Sequence, residues 1–137
     1  MGHIIWTDAF SVGVEELNYQ HMQLVGMINR LLDLASLKNS DQATTKKAFH
    51  NVLNDMVQYA AIHFETEERY MATIGYSDFQ RHAEEHTGFS NKTAELILKA
   101  SNGELDISGT SQYLQKWLSG HILVSDMEYR KFKERRA

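Results

Sequence analysis

Through four long stretches of this chain the apolar residues recur at spacings of three and four, and no proline interrupts them. That pattern constrains the fold to helices. Breaks fall at Ser36–Asp41, Ile74–Asp78 and Ser101–Ser111, where polar residues and glycine cluster. The spacing predicts a first helix from about Asn18 to Leu37, striped by Leu17, Leu24, Ile28, Leu31 and Ala35. A second, from about Asp41 to Ile74, carries Phe49, Val52, Met56, Ala60, Tyr70 and Ile74, and Gly75 stops it. Ser77 and Gln80 stand in capping-box spacing at the head of a third, striped by Phe79, Phe89, Thr93, Leu96 and Ala100. The fourth, about Thr110 to Arg135, offers Leu114, Trp117, Val124 and Glu128. Four helices with short connections predict an all-α, up-down-up-down antiparallel bundle. Residues 1–17 form an arm whose Ile4, Ile5, Trp6 and Phe10 are expected to pack over its side or end.

The stripes have gaps, and the gaps are filled by metal-ligand residue types. His21 lies between Leu17 and Leu24, and Ala60 is followed by His63 and Glu67. Phe79 and Phe89 bracket His82 and His86, and His121 follows Trp117 by one turn. Five of the seven histidines therefore face inward. His3 is in the arm, and His50, thirteen residues before His63, lies about 140° round the helix at ~100° per residue. A buried polar group costs a few kcal/mol unless paired, and a buried carboxylate more. Five imidazoles and a carboxylate in one small core need a positive partner.

The levels agree as well. Glu67 is eight residues before Gly75, and His82 and His86 are seven and eleven after it. At ~1.5 Å per residue these positions meet within about a turn. His121 and His86 match in the same way across the next loop, near the end of the bundle where the first helix begins. Asp126 lies at that level too, but five residues from His121 places it about 140° off on an ideal helix. A π-type turn would swing it inward; otherwise it is a surface aspartate.

Composition removes other classes. With no cysteine, disulfides and thiolate ligands are excluded, so a metal must be held by nitrogen and oxygen. The net charge of −4 and the single basic cluster, in the last helical turns, argue against nucleic-acid binding. "HAEEH" at His82–His86 is not the zinc-protease motif, because no Glu follows the first His. The N-terminus lacks the pattern of a secretory signal, and no stretch approaches the ~20 apolar residues of a membrane span. The expected compartment is the cytoplasm, with no membrane partner.

Taken together, "QH" at Gln20, "HFETEE" from His63, "HAEEH" from His82 and "WLSGHILVSD" from Trp117 resemble the hemerythrins, in particular the single-domain bacterial ones. The resemblance spans essentially the whole chain and implies one di-iron domain over residues 1–137. It implies that His82, His86 and His121 hold one iron, and His21 and His63 the other. Glu67 and Asp126 would bridge them beside an oxo or hydroxo group. Leu24, Phe64, Trp117, Leu118 and Ile122 would form the apolar oxygen pocket. Three histidines and three bridges fill an octahedral iron, so the two-histidine iron keeps one vacancy. Ferritin-like oxidases use four Glu and two His, whereas this set is rich in neutral nitrogen. The expected function is reversible O2 binding as a hydroperoxide at the open iron, for oxygen storage, transport or delivery by a monomer, without enzymatic turnover. Small anions would bind at the same vacancy. Two alternatives stay open: an oxygen- or redox-sensing domain of a larger signalling protein, and a di-iron enzyme consuming peroxide or nitric oxide.

Overall fold

In the computed structural model, which describes residues 3–38 and 42–136, the chain is all helical. A 3-10 turn at Asp8–Phe10 precedes α1 (Glu15–Ala35), α2 (Ala43–Thr73) and α3 (Phe79–Ser101). The fourth rod is continuous but not uniform. It begins as α4 (Ile107–Gly120), widens to a π-helical turn over His121–Asp126, and resumes as α5 (Met127–Arg136). α1 packs on α2 and α4, and α2 on α3. α3 meets the fourth rod where the Phe89 and Trp117 rings lie 4.2 Å apart. This is the expected four-helix bundle. Among the described residues no helix is long and apolar enough to cross a membrane.

Helix ends follow local chemistry. After α2, Gly75 has φ +67°, its N–H donates to Ala72 O at 3.1 Å, and the Tyr76 N–H donates to Met71 O at 3.0 Å. That paired arrangement is a Schellman cap, which needs a residue tolerant of left-handed backbone. Gly103 (φ +74°) closes α3 in the same way. α1 begins three residues earlier than the periodicity indicated; Glu15 and Glu16 in its first turn suit the positive end of the helix dipole. The capping box does not form. Asp78, not Ser77, is the residue before α3, and no side chain caps that end. α4 also starts early, because Asp106 accepts a 3.1 Å hydrogen bond from the Gly109 N–H and nucleates a turn ahead of Thr110. The proposed start of the second helix at Asp41 lies outside the described residues.

Two apolar clusters flank a polar layer. The larger contains Leu24, Ile28, Phe49, Met56, Phe64, Phe89, Leu114 and Leu118; the smaller contains Val12, Leu17, Met71, Tyr76 and Tyr129. In the arm, Ile4 and Phe10 are buried and Trp6 packs beside them, but Ile5 is 75% exposed and does not join the packing. Val124 and Glu128 also depart from expectation. The π turn, with its i→i+5 bonding, inserts one extra residue into the helical repeat, so Val124 turns outward and Glu128 is only half-buried. Ile122, Asp126 and Tyr129 take the inward positions, each fully buried.

Candidate metal centre

The polar layer between the clusters is built by one segment from each rod. α1 supplies His21, α2 supplies His63 and Glu67, α3 supplies His82 and His86, and the π turn supplies both His121 and Asp126. All seven side chains are buried. Their potential ligand atoms form two groups, each within 4.8 Å: Glu67, His82, His86 and His121, and His21, His63, Glu67 and Asp126.

Glu67 is divided between them. Its Oε1 lies 2.8 Å from the Nε2 atoms of His82 and His86 and 3.5 Å from that of His121. Its Oε2 faces the Nε2 atoms of His63 and His21, at 3.3 and 3.5 Å. Asp126 is divided likewise. Oδ1 is 3.0 Å from His82 and His121, and Oδ2 is 3.0 Å from His21. Each carboxylate thus offers one oxygen to a three-histidine half and one to a two-histidine half.

A cation fits these atoms better than hydrogen bonding does. Both Asp126 oxygens and both His21 nitrogens are buried and lack an aligned hydrogen-bond partner, despite the short distances. The His86 and His121 Nε2 atoms approach to 3.1 Å. Their Nδ1 atoms face the carboxylates of Glu68 and Glu85 at 2.7 and 3.1 Å, so a neutral ring carries its proton there. The two Nε2 lone pairs are then pointed into one space, where a positive ion removes the repulsion. His63 is oriented similarly, its Nδ1–H donating to Gln20 Oε1 at 2.7 Å.

Without metal the layer holds itself together with protons. Burial alone would push the His21 and His82 imidazoles down, but the facing Asp126 and Glu67 carboxylates outweigh it and raise both to about 9. His121 is raised well above its ordinary value by Asp126, Glu67 and Glu85 despite its burial. Burial wins at His63, which is lowered. Burial would raise Glu67, but His121, His21, His63 and His82 hold it well below the usual carboxylate range. His21 and His82 therefore stabilise the metal-free fold fully below pH 6.5, and this contribution fades as pH rises through about 9. The melting temperature of chelator-treated protein should fall from pH 6.5 to 9, whereas that of metal-loaded protein, whose imidazoles are already deprotonated to the neutral form, should not. Metal uptake at pH 7 should release protons, measurable with an indicator dye. Parallel melting curves for the two forms over that range would contradict this account.

The expected pocket residues are present but unevenly placed. Phe64 stacks on His86 (4.0 Å, 8°) and Trp117 on His121 (4.5 Å, 10°), so both aromatic faces cover the three-histidine half. Leu24, Leu118 and Ile122 are buried in the same large cluster. Trp117 is only half-buried. His3 and His50 are elsewhere: His3 pairs with Asp33 on the surface, and His50 lines a hollow with Lys46, Ala100 and Gly103.

Gln20, Glu68, Glu85, Ser125 and Tyr129 support the layer, and the periodicity did not single them out for this. A residue that orients a ligand from a neighbouring helix leaves no mark in one helix's repeat. Glu85 is the clearest case: its Oε1 accepts from His121 Nδ1 at 3.1 Å and from the Ser125 hydroxyl at 2.6 Å, grasping the π turn at two points. These neighbours hold the Glu85 carboxyl down to about 2. Glu85→Ala should let the turn relax toward α-helix and lower metal affinity ~10–100-fold, while Glu85→Gln, which still accepts, should keep most of it. Equal metal affinity in the alanine variant and parent, measured by competition with a chromophoric chelator, would exclude this role.

The family profile described as "Hemerythrin HHE cation binding domain" matches residues 12–131. A bacteriohemerythrin of Clostridium acetobutylicum is 29% identical over 127 residues, covering 91% of this chain and 97% of that protein. One from Methylococcus capsulatus is 30% identical over 131 residues, covering 94% and 95%. Among solved structures, the crystal structure of wild-type hemerythrin superposes with a TM-score of 0.83 at 30% identity, covering 95% of this chain and 97% of that one. With the buried histidine–carboxylate layer in its core and these matches along nearly its full length, the chain belongs to the hemerythrin family.

Proposed function

We propose that this protein holds two iron ions and binds O2 reversibly at one of them. The observation that carries the reading is the division of Glu67 and Asp126 between three imidazoles on one side and two on the other. His82, His86 and His121 would hold one iron and His21 and His63 the second, with both carboxylates bridging. The iron pair would supply the two electrons that O2 takes up on binding and gives back on release. The half with two histidines is one donor short of the other, and this is where O2 or a small anion enters.

The rest of the work falls to the chain itself. Glu68, Glu85 and Gln20 fix three imidazoles with Nε2 turned inward. Leu24, Phe64, Leu118 and Ile122 exclude water from the large-cluster side of the layer. Among the described residues, beyond the carboxylates and imidazoles that would be bound to metal, no buried acid or base reaches the centre except the Tyr129 phenol. That favours binding over turnover.

Iron per chain, with visible spectra after anaerobic reduction, exposure to air and removal of oxygen, tests this directly. Two irons per chain and a spectrum that appears with oxygen and disappears on its removal are expected. One zinc per chain, or oxidation that oxygen removal does not reverse, would overturn it.

A further inference from the structure

Tyr129 stands on α5, three residues after Asp126, and is fully buried. Its hydroxyl donates to Glu67 Oε2 at 3.1 Å. The contact is selective. Among the described residues, Glu67 Oε1, the oxygen on the three-histidine side, faces only imidazoles, whereas Oε2, on the His21–His63 side, shares its electron density with a phenol. Neighbouring rings fix the phenol: Tyr70 lies 5.6 Å and Tyr76 6.3 Å from it, both edge-on, and His82 lies 5.7 Å away.

We infer that Tyr129 is a positioning residue that sets the two halves of the centre apart, by drawing charge from the bridging oxygen on the side with two histidines. The inference rests on the di-iron reading above. A hydrogen bond to an anionic ligand oxygen strengthens as the metals become less positive, so it favours the reduced state and raises the reduction potential. It also makes that oxygen a poorer donor. A metal held by His21 and His63 would then be the stronger Lewis acid, at the half that is one histidine donor short. The phenol thereby directs small anions to one half without touching them.

The test compares iron-loaded parent protein, Tyr129→Phe, Tyr70→Phe and protein carrying 3-fluorotyrosine at position 129. Phe keeps the ring and removes only the hydroxyl, whereas the fluorinated phenol is a more acidic and stronger donor. Three readouts are needed: iron content, reduction midpoint potential, and azide affinity of the oxidised form followed by visible absorption. The potential should fall in Tyr129→Phe, rise with 3-fluorotyrosine and stay at the parent value in Tyr70→Phe. The azide dissociation constant should rise ~10-fold in Tyr129→Phe, at the low end for an outer partner of a metal ligand. A role in packing alone cannot give opposite potential shifts in two variants that keep the ring. Should Tyr129→Phe fail to hold iron, the fluorotyrosine protein decides the direction by itself. Parent protein with two irons and coincident potentials in all four forms would overturn the tyrosine proposal and leave the di-iron reading standing. A parent without two irons would remove both.

Discussion

Glu67→Ala is expected to abolish stable metal binding, lowering affinity by at least ~100-fold, since loss of a mere outer partner already costs about 10–100-fold. Among the described residues, Glu67 is the only side chain whose oxygens reach all five inward histidines. Its removal leaves Asp126 as the sole anion of the layer and orphans the Tyr129 hydroxyl. The metal-free variant should also lose about 3–5 kcal/mol at pH 6, the penalty for taking one partner from a buried charged set. Less should be lost at pH 9, because His21 and His82, raised to about 9, are then partly neutral. His50→Ala and His3→Ala, which alter imidazoles outside the layer, should retain full metal content. Metal analysis after gel filtration and urea titration at both pH values measure these effects. A Glu67→Ala protein that keeps two metals per chain would refute the bridging assignment.

The second large effect concerns the wall. Leu24 is one turn beyond His21 on α1 and 2% exposed, within the large apolar cluster. Leu24→Ser removes most of a buried side chain and should destabilise the fold by roughly 2–5 kcal/mol, as for other large-to-small core changes. It also places a hydroxyl, and room for water, beside the half proposed to bind oxygen. Reversible binding depends on denying solvation to the charge that O2 acquires, and an apolar wall does this because polar hydration in such a pocket is unfavourable. Irreversible oxidation of the reduced protein in air should therefore accelerate by an order of magnitude or more at unchanged iron content. Stopped-flow mixing with oxygen, followed by the slow spectral decay, gives the rate. Decay at the parental rate in a fully loaded variant would show that Leu24 does not guard the oxygen position.

How much of this was legible beforehand differs by residue. His21, His63, Glu67, His82, His86 and His121 stand on helical stripes where leucine would serve the fold better, and periodicity alone marks them as inward. Gly75 marks the turn that brings α2 and α3 to the same level, and its backbone cap is as expected. Asp126 is different. Spacing left it undecided between the core and the surface, because five residues fit neither face of an ideal helix. The π turn resolves it, and the same turn exposes Val124 and buries Tyr129.

What the sequence determined by itself is the set of elements and their inward faces, because both are properties of single helices: spacing, caps and the cost of burying unpaired polar groups. The tertiary structure alone decided the phase of the fourth rod and the outer ring of Gln20, Glu68, Glu85, Ser125 and Tyr129. The reason is physical. A π turn is locally unfavourable and persists only where contacts from another helix hold it, as Glu85 does from α3. Likewise, a hydrogen bond between helices depends on their relative rotation, and side-chain packing fixes that rotation only once all four rods are assembled.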